Sequence, residues 1–264
     1  TGLSVGAAMN GMRPVYMHNR PDFLLLTFNQ IVSHASKFSF MSNGQTKVPL
    51  VMWSAIGRGW GTGAQHSQAI QGLLVGVPGL KMIMPRTPYD AKGLLLSAIE
   101  DNNPVLIFEH RWLMKRKGFV PEEYYTIPLG KAQIVRSGND LTIIGSSLIL
   151  DEALEAAHKI YETDQIDCEV IDLRTIQPLD EETILASVKK TGKVLVVDTG
   201  WIDGGVTSHL SVKIYENAFS FLKMPIERMA LPHCPTPSSS YLESEFYPGI
   251  EDILKTIKKL AGTP

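Results

Sequence analysis

The chain has 264 residues, 44% of them hydrophobic and 20% charged, with a net charge of −2. That length predicts about two domains, each able to bury a core without disulfide or metal staples. Charges of both signs are interspersed, which argues against nucleic acid or an anionic membrane surface as a partner, and no apolar run approaches the roughly 20 residues of a membrane span. Cys168 and Cys234 are far apart and form no C-x-x-C pair, which suits a reducing compartment and packed, unpaired thiols.

In chain order, Thr1–Gly11 reads as a small-residue helix already under way, closed by Gly11. It has no start signal and no signal-peptide layout, and so predicts a chain that begins inside a domain. Pro14–Met17 is a short strand candidate. Asp22 is placed to cap a long helix whose apolar stripe runs through Phe23, Leu24, Leu26, Ile31, Val32 and Ala35. Val48–Ala55 is a continuous β-rich run, of the kind buried on both faces of a parallel sheet. A helix over His66–Val75, a strand at Lys81–Met84, a helix at Tyr89–Glu100 and a strand at Pro104–Phe108 follow. Strands alternating with helices imply parallel βαβ units with helices on both faces.

The loop between the Val48–Ala55 run and His66 reads Gly57-Arg58-Gly59-Trp60-Gly61-Thr62-Gly63-Ala64-Gln65. Alternating glycines allow positive φ and a close approach to a ligand or to another part of the chain. His66 would then sit in the first turn of a helix, where free N–H groups favour anions. The same residues also fit G-x-G-x-x-A, the dinucleotide fingerprint, which expects an acidic residue about 20 positions on. Gln65 to Tyr89 contains no Asp or Glu, although Arg86 could serve a 2′-phosphate. Further along, Pro104 forbids continuation of the Tyr89–Glu100 helix and leaves its last carbonyls without partners beside Asp101. Such carbonyls can hold a cation; a solvated helix end is the alternative.

Glu122–Pro128 looks like a connecting segment. A second alternation then runs through strand Leu141–Gly145, helix Asp151–Tyr161, strand Asp167–Asp172, helix Asp180–Lys189 and strand Lys193–Asp198, with a closing helix Ile250–Leu260. The predicted architecture is α/β, two three-layer α/β/α domains spanning residues 1–121 and 122–264. Gly200–Gly205 resembles a nucleotide-binding turn only loosely. His233 and Cys234 are adjacent, a poor geometry for a nucleophile and its base. His34 reads as packed, and His158 and His209 as helix-surface residues. His110, just past a strand end, is a candidate for a supporting role.

The stretches VGAAMNGMRP, AQHSQ, PGLKMIMPRTPYDAKGLLLSAIEDNNPV, IPLGKA and EVIDLRTIQPLDEETI run nearly end to end. On these the chain resembles the β subunit of the thiamine-diphosphate-dependent first component of 2-oxo-acid dehydrogenase complexes, pyruvate dehydrogenase being the nearest. The resemblance implies a pyrimidine-binding domain followed by a transketolase C-terminal-like domain. It places Phe23 where an aromatic stacks on the aminopyrimidine, and His66 on the active-site histidine. It places Leu50, Ala98, Ile99, Asp101 and Asn103 on a structural potassium site built largely of main-chain oxygens. It further implies an α subunit that holds magnesium and the diphosphate, a second copy of this chain and an acyltransferase core. The cytoplasm is the implied compartment, or the mitochondrial matrix in a eukaryote. The family's catalytic glutamate would lie about four residues before Thr1, so the chain alone is expected to be inactive. His18-Asn19-Arg20-Pro21 replaces a stretch that is apolar and aromatic in pyruvate dehydrogenases; a positive and a titratable group there point to a more polar or acidic substrate, with surface variation in a βα loop as the alternative. Ketol transfer on sugars and a purely assembling module are the alternative functions.

Overall fold

The computed structural model describes residues 1–262; Thr263 and Pro264, at the end of the expected second domain, lie outside the described residues. In the first half α1 (Gly2–Met9) leads to β1 (Val15–His18), and the short α2 (Pro21–Leu24) and α3 (Phe38–Met41) precede β2 (Val51–Ile56). Then come β3 (Lys81–Ile83), α4 (Pro88–Glu100) and β4 (Val105–His110). The second half runs β5 (Gln133–Arg136), β6 (Leu141–Gly145), α5 (Ser147–Asp164), β7 (Cys168–Asp172), β8 (Thr175–Gln177), α6 (Glu181–Thr191) and β9 (Val194–Trp201). It closes with α7 (Val206–Ala218), β10 (Glu227–Leu231), α8 (Ser240–Phe246) and α9 (Ile250–Ala261).

These elements build two five-stranded sheets, ordered β1-β2-β4-β3-β8 and β10-β9-β6-β7-β5. Each has four parallel strands and one antiparallel edge strand, β8 in the first and β5 in the second. The central strands are apolar on both faces, as parallel sheets require. Val51, Val105, Ile107 and Ile83 pack under α4, while Met52, Leu106, Met82 and Phe108 face the other way. In the second sheet Ile143, Val170, Leu195 and Val197 pack on α5 and α9, and Ile144, Ile171 and Val196 on the α6–α7 side. Successive strand residues thus feed opposite layers, which gives the expected α/β/α sandwich twice.

Helix ends follow local chemistry. Thr87 caps α4 through Asp90 N–H (3.1 Å), and Asp180 caps α6 through Thr183 N–H (3.2 Å). Gly192 ends α6 at φ 73°, a conformation that suits glycine.

Two predicted helices form otherwise. Residues 21–35 are not one helix: α2 gives way to a 3₁₀ turn at Leu25–Thr27 and a π-helical run at Asn29–Ala35. Thr27 Oγ1 donates to the Leu24 carbonyl (2.8 Å), and Asp22 turns away from capping to accept from Gln68 Nε2 (2.8 Å). The helix expected over His66–Val75 is replaced by turns and a 3₁₀ turn at Gln71–Leu73. Tertiary contacts override the pattern there. Gln71 donates to the buried Asp198 carboxylate (3.1 Å), and a Cβ on Gly72 would stand 2.8 Å from the Gly205 Cα. The helical N-terminus offered as an anion site therefore does not form. Nor does the strand–turn–helix frame of the dinucleotide fingerprint, and that reading is withdrawn.

Candidate active site

β1, β2 and β4 lie side by side and end together, with His18 opposite Ser54 and Ile56 opposite His110. The segments leaving these ends carry Arg20 with Phe23, the glycine loop with His66, and Arg111 with Trp112. In open α/β sheets ligands bind outside the carboxyl ends of the strands, so the topology alone collects these residues at a favourable edge.

The loop glycines are used for close approach. Gly57 and Gly59 have φ of +118° and +94°, and a Cβ on either would overlap the ring of His110 or Trp112. Gly59 N–H donates to Glu243 Oε1 (2.8 Å), and Arg58 pairs with Glu152; both acids come from the second half. The loop is thereby clamped between the two sheets rather than left free.

That clamp delivers His66. Its carbonyl accepts three hydrogen bonds, from Arg20 Nη1 (2.7 Å), Thr62 Oγ1 (3.2 Å) and Arg111 Nη2 (3.3 Å). The imidazole meets Phe23 edge-on, with ring centroids 5.4 Å apart at 80°. Phe23 is 49% exposed, unusual for a phenylalanine beside a core. Ala64, Gln65 and Gln68, flanking His66, line an open cleft of about 550 Å³ closed on the far side by Trp201, Asp203 and the His233–Thr236 loop. Phe23 and His66, both placed in the site by the resemblance, are thus brought together ring to ring, next to residues that line this cleft.

The other histidines divide clearly. His110 is 1% exposed, accepts from Trp112 N–H at Nδ1 (3.2 Å) and packs under Gly57. Burial first, then the charges of Arg58 and Arg111, push it down to about 3, so it is a neutral wall supporting the loop. His34 stacks on Phe38 at 5.6 Å. His158 is exposed on α5 and His209 half-buried on α7. His233 pairs with Asp203 (2.9 Å) on the surface. Cys168 is buried, and burial raises it to about 12; Cys234 is exposed and free.

The five residues of the expected cation site lie at or next to the amino-terminal ends of β2 and β4, the edge of the sheet opposite His66. The Leu50 carbonyl accepts from Val105 N–H (2.8 Å). Arg13 Nη1 donates to the carbonyls of Ile99 (2.8 Å) and Asp101 (2.9 Å). The Asp101 carboxylate pairs with Lys81 and accepts from Asn103 N–H (2.9 Å). Ala98 contributes one of the last carbonyls of α4, which have no partner inside the helix.

Arg111 and Trp60 were not singled out from the sequence. Arg111 is 5% exposed, and its guanidinium lies 4.5 Å from the Trp60 ring, with that of Arg20 at 5.9 Å. The available signal was positional: Arg20 stands just beyond the carboxyl end of the edge strand β1, and Arg111 just beyond that of the buried strand β4.

Comparison with known proteins gives a consistent answer. Residues 1–117 match the transketolase pyrimidine binding domain and residues 130–253 the transketolase C-terminal domain. The chain is 40% identical to the β subunit of acetoin:2,6-dichlorophenolindophenol oxidoreductase of Bacillus subtilis, covering 100% of this chain and 77% of the relative. It is also 40% identical to the pyruvate dehydrogenase E1 component β subunit of Rickettsia felis (98% and 79% covered) and to the 2-oxoisovalerate dehydrogenase β subunit of Bacillus subtilis (98% and 80%). A solved split-gene transketolase, described as an inactive β4 tetramer, shares the fold with a TM-score of 0.81 at 20% identity over 99% of this chain and 80% of its own. No helix among the described residues is long and apolar enough to cross a membrane. Matched along both of its domains, the chain belongs to the family of E1-type β subunits of the 2-oxo-acid dehydrogenases, built on the transketolase fold.

Proposed function

We propose that this chain is the β half of a thiamine-diphosphate-dependent enzyme that oxidatively decarboxylates a 2-oxo acid and passes the acyl group to a lipoyl group. The observation that carries the proposal is the half-exposed Phe23 ring held edge-on to His66, whose chain neighbours Ala64, Gln65 and Gln68 line the cleft. An exposed aromatic face beside an imidazole fits a flat, hydrogen-bonding heterocycle such as the aminopyrimidine. When bound, thiamine diphosphate supplies the carbon nucleophile and the electron sink for decarboxylation. Phe23 gives the pyrimidine an apolar surface to stack on. His66 presents an imidazole able to hand a proton to, or take one from, a substrate oxygen. The three donors on its carbonyl fix its backbone, so that the ring is positioned before substrate arrives.

The diphosphate and magnesium are assigned to an α subunit; the relatives' designation as β subunits supports a partnered enzyme. A second copy of this chain and an acyltransferase core would complete the assembly. The relatives named for acetoin point to a second reading, a neutral hydroxyketone substrate. The two arginines around His66 favour an acid instead.

In the complete αβ enzyme His66→Ala should lower turnover by roughly 10²–10⁴, the range for a positioned acid–base group, while leaving the unfolding transition nearly unchanged. Wild-type turnover in that variant would end the catalytic assignment. We further assign a potassium ion to the main-chain oxygens of Leu50, Ala98, Ile99, Asp101 and Asn103. Arg13 occupies one lone pair on two of these carbonyls, and a carbonyl oxygen has two. Bound potassium should stabilise the fold by about 2.7 kcal/mol at a hundredfold excess over its Kd. Melting curves in potassium and in tetramethylammonium at equal ionic strength measure this; superimposable curves count against the ion.

A further inference from the structure

The two guanidiniums beside His66 have more donors than the protein uses. Each carries five N–H donors, yet one donor from Arg20 and one from Arg111 converge on the same His66 carbonyl. Neither arginine forms a salt bridge among the described residues, unlike Arg58, Arg86 and Arg136. Arg111 Nη1 is buried and has no hydrogen-bond partner at all. The nearby acids form no hydrogen bond to either guanidinium: Asp22 Oδ1 accepts from Gln68 and Glu243 Oε1 from Gly59 N–H, while Asp22 Oδ2 is buried without a partner. Burial, followed by the charge of Arg20, lowers the affinity of Arg111 for its proton, and the opposing charges of Asp22 and Glu243 only partly offset this. Trp60, 63% exposed, forms an aromatic wall under both guanidiniums.

Resting on the 2-oxo-acid reading above, we propose that Arg20, Arg111 and Trp60 form a subsite for a second, distal carboxylate on the substrate, so that the preferred substrate is a dicarboxylic 2-oxo acid. A carboxylate accepts two hydrogen bonds side by side from a guanidinium fork, and two forks suit one carboxylate well. The carboxylate next to the oxo group is a poor tenant. Decarboxylation breaks its C–C bond and releases it as CO₂, so its negative charge drains away as the reaction proceeds. Cations clamped on it would hold the reactant more tightly than the transition state and slow the step. A distal carboxylate keeps its charge from binding to release, and clamping it anchors the chain without opposing the chemistry. A neutral ketol would leave the guanidiniums unanswered and the buried Nη1 still orphaned.

The test uses the reconstituted αβ enzyme with thiamine diphosphate and magnesium, following reduction of an artificial electron acceptor. The substrates are oxaloacetate, 2-oxoglutarate, 2-oxoadipate, 2-oxopentanoate and acetoin. One of the dicarboxylic acids should exceed 2-oxopentanoate in kcat/KM by at least tenfold. Arg20→Gln and Arg111→Gln should each lower that value by roughly 10–100-fold, the range for a hydrogen bond to a charged group, with the change mainly in KM. Because both side chains also donate to the His66 carbonyl, use of 2-oxopentanoate should fall too, but by at least tenfold less than use of the dicarboxylic acid; an equal loss on both substrates overturns the subsite. Binding is read separately with unreactive succinate, glutarate and adipate, at least one of which should raise the melting temperature of wild type and not of Arg20→Gln. Arg20 is only half-buried, so its variant keeps the test open if Arg111→Gln fails to fold. Equal use of 2-oxopentanoate or acetoin, unaffected by Arg20→Gln, overturns the subsite while leaving the thiamine chemistry standing. No turnover of any substrate, with diacid binding still dependent on Arg20, overturns the proposed reaction and keeps the subsite. No turnover and no diacid binding overturns both.

Discussion

The two sheets share one design, four parallel strands and an antiparallel edge, yet they use their carboxyl ends in opposite ways. At the ends of β1, β2 and β4 the first sheet leaves Phe23 half exposed, His66 beside residues that line a cleft, and two arginines with no salt bridge among the described residues. At the end of β7 and within the carboxyl half of β9 the second sheet carries Asp172 and Asp198, both buried and both partnered. Arg86 Nε donates to Asp172 (2.9 Å) and its Nη1 to Asp151 (2.6 Å), while Gln71 donates to Asp198. Arg174 returns the favour to Asp90 (2.7 Å). Strand ends collect polar groups in both halves. Those answered by the other half make a joint, and those left unanswered make a site.

Cutting the joint should have the largest effect on stability. Arg86→Met removes both ion pairs of a side chain that is only 9% exposed, and leaves Asp172 buried with little beyond one backbone N–H. Breaking a buried pair by removing one partner costs about 3–5 kcal/mol, which denaturant titration of the complete enzyme would measure. A loss below 1 kcal/mol would mean that the joint holds by apolar contact alone.

The next effect is at the border between joint and site. His110 titrates near 3 in the fold and near 6.5 when unfolded. Its folded value is depressed, so only the unfolded chain takes up the proton between those values, and stability is lost as pH falls. Relative to His110→Asn, wild type should therefore lose about 2 kcal/mol between pH 7 and pH 5. Parallel pH profiles for the two proteins would contradict this.

Asp198 should show the smallest effect, with the opposite sign. Burial raises it to about 6, above the unfolded value near 3.9. Over that window the folded chain binds the proton more tightly, and stability rises on acidification. Relative to Asp198→Asn, wild type should gain about 1.4 kcal/mol on going from pH 7 to pH 5. An acid-induced loss in the same comparison would show that the Gln71 contact dominates over burial.

What could be read from the sequence follows the same division. Val51–Ile56, Leu141–Gly145 and Val194–Trp201 are predominantly apolar runs without period-2 alternation, which suits strands buried on both faces of a parallel sheet. The expected helix Asp180–Lys189 falls within two residues of α6, which Asp180 caps and Gly192 ends. The failures come where distant parts of the chain decide local shape. Thr175–Gln177 is too short to carry a period, and Gln177 is held by hydrogen bonds to the Val77 and Leu80 carbonyls (2.7 Å each). The 66–75 segment has helical spacing but is pinned by Asp198 and Gly205. α7 begins after Gly205 with no acid in its first turn, and its Val206–Leu210–Ile214 stripe lacked a start signal. In the site, Phe23 and His66 were named by resemblance, whereas the meeting of Arg20 with Arg111 depends on which strands are neighbours, and no local pattern encodes that.

The edge strand β8 has a bearing on how the protein is made. It closes the first sheet by pairing Met82 with Gln177 and Ile83 with Thr175, although it belongs to the second half of the chain. A ribosome adding about 5–20 residues per second reaches β8 roughly 5–20 seconds after finishing β3. For that interval the nascent first sheet has an open flank, a template for unwanted strand pairing. The first half is therefore not a self-sufficient folding unit during synthesis, and a chain severed between the two sheets would keep that flank permanently open.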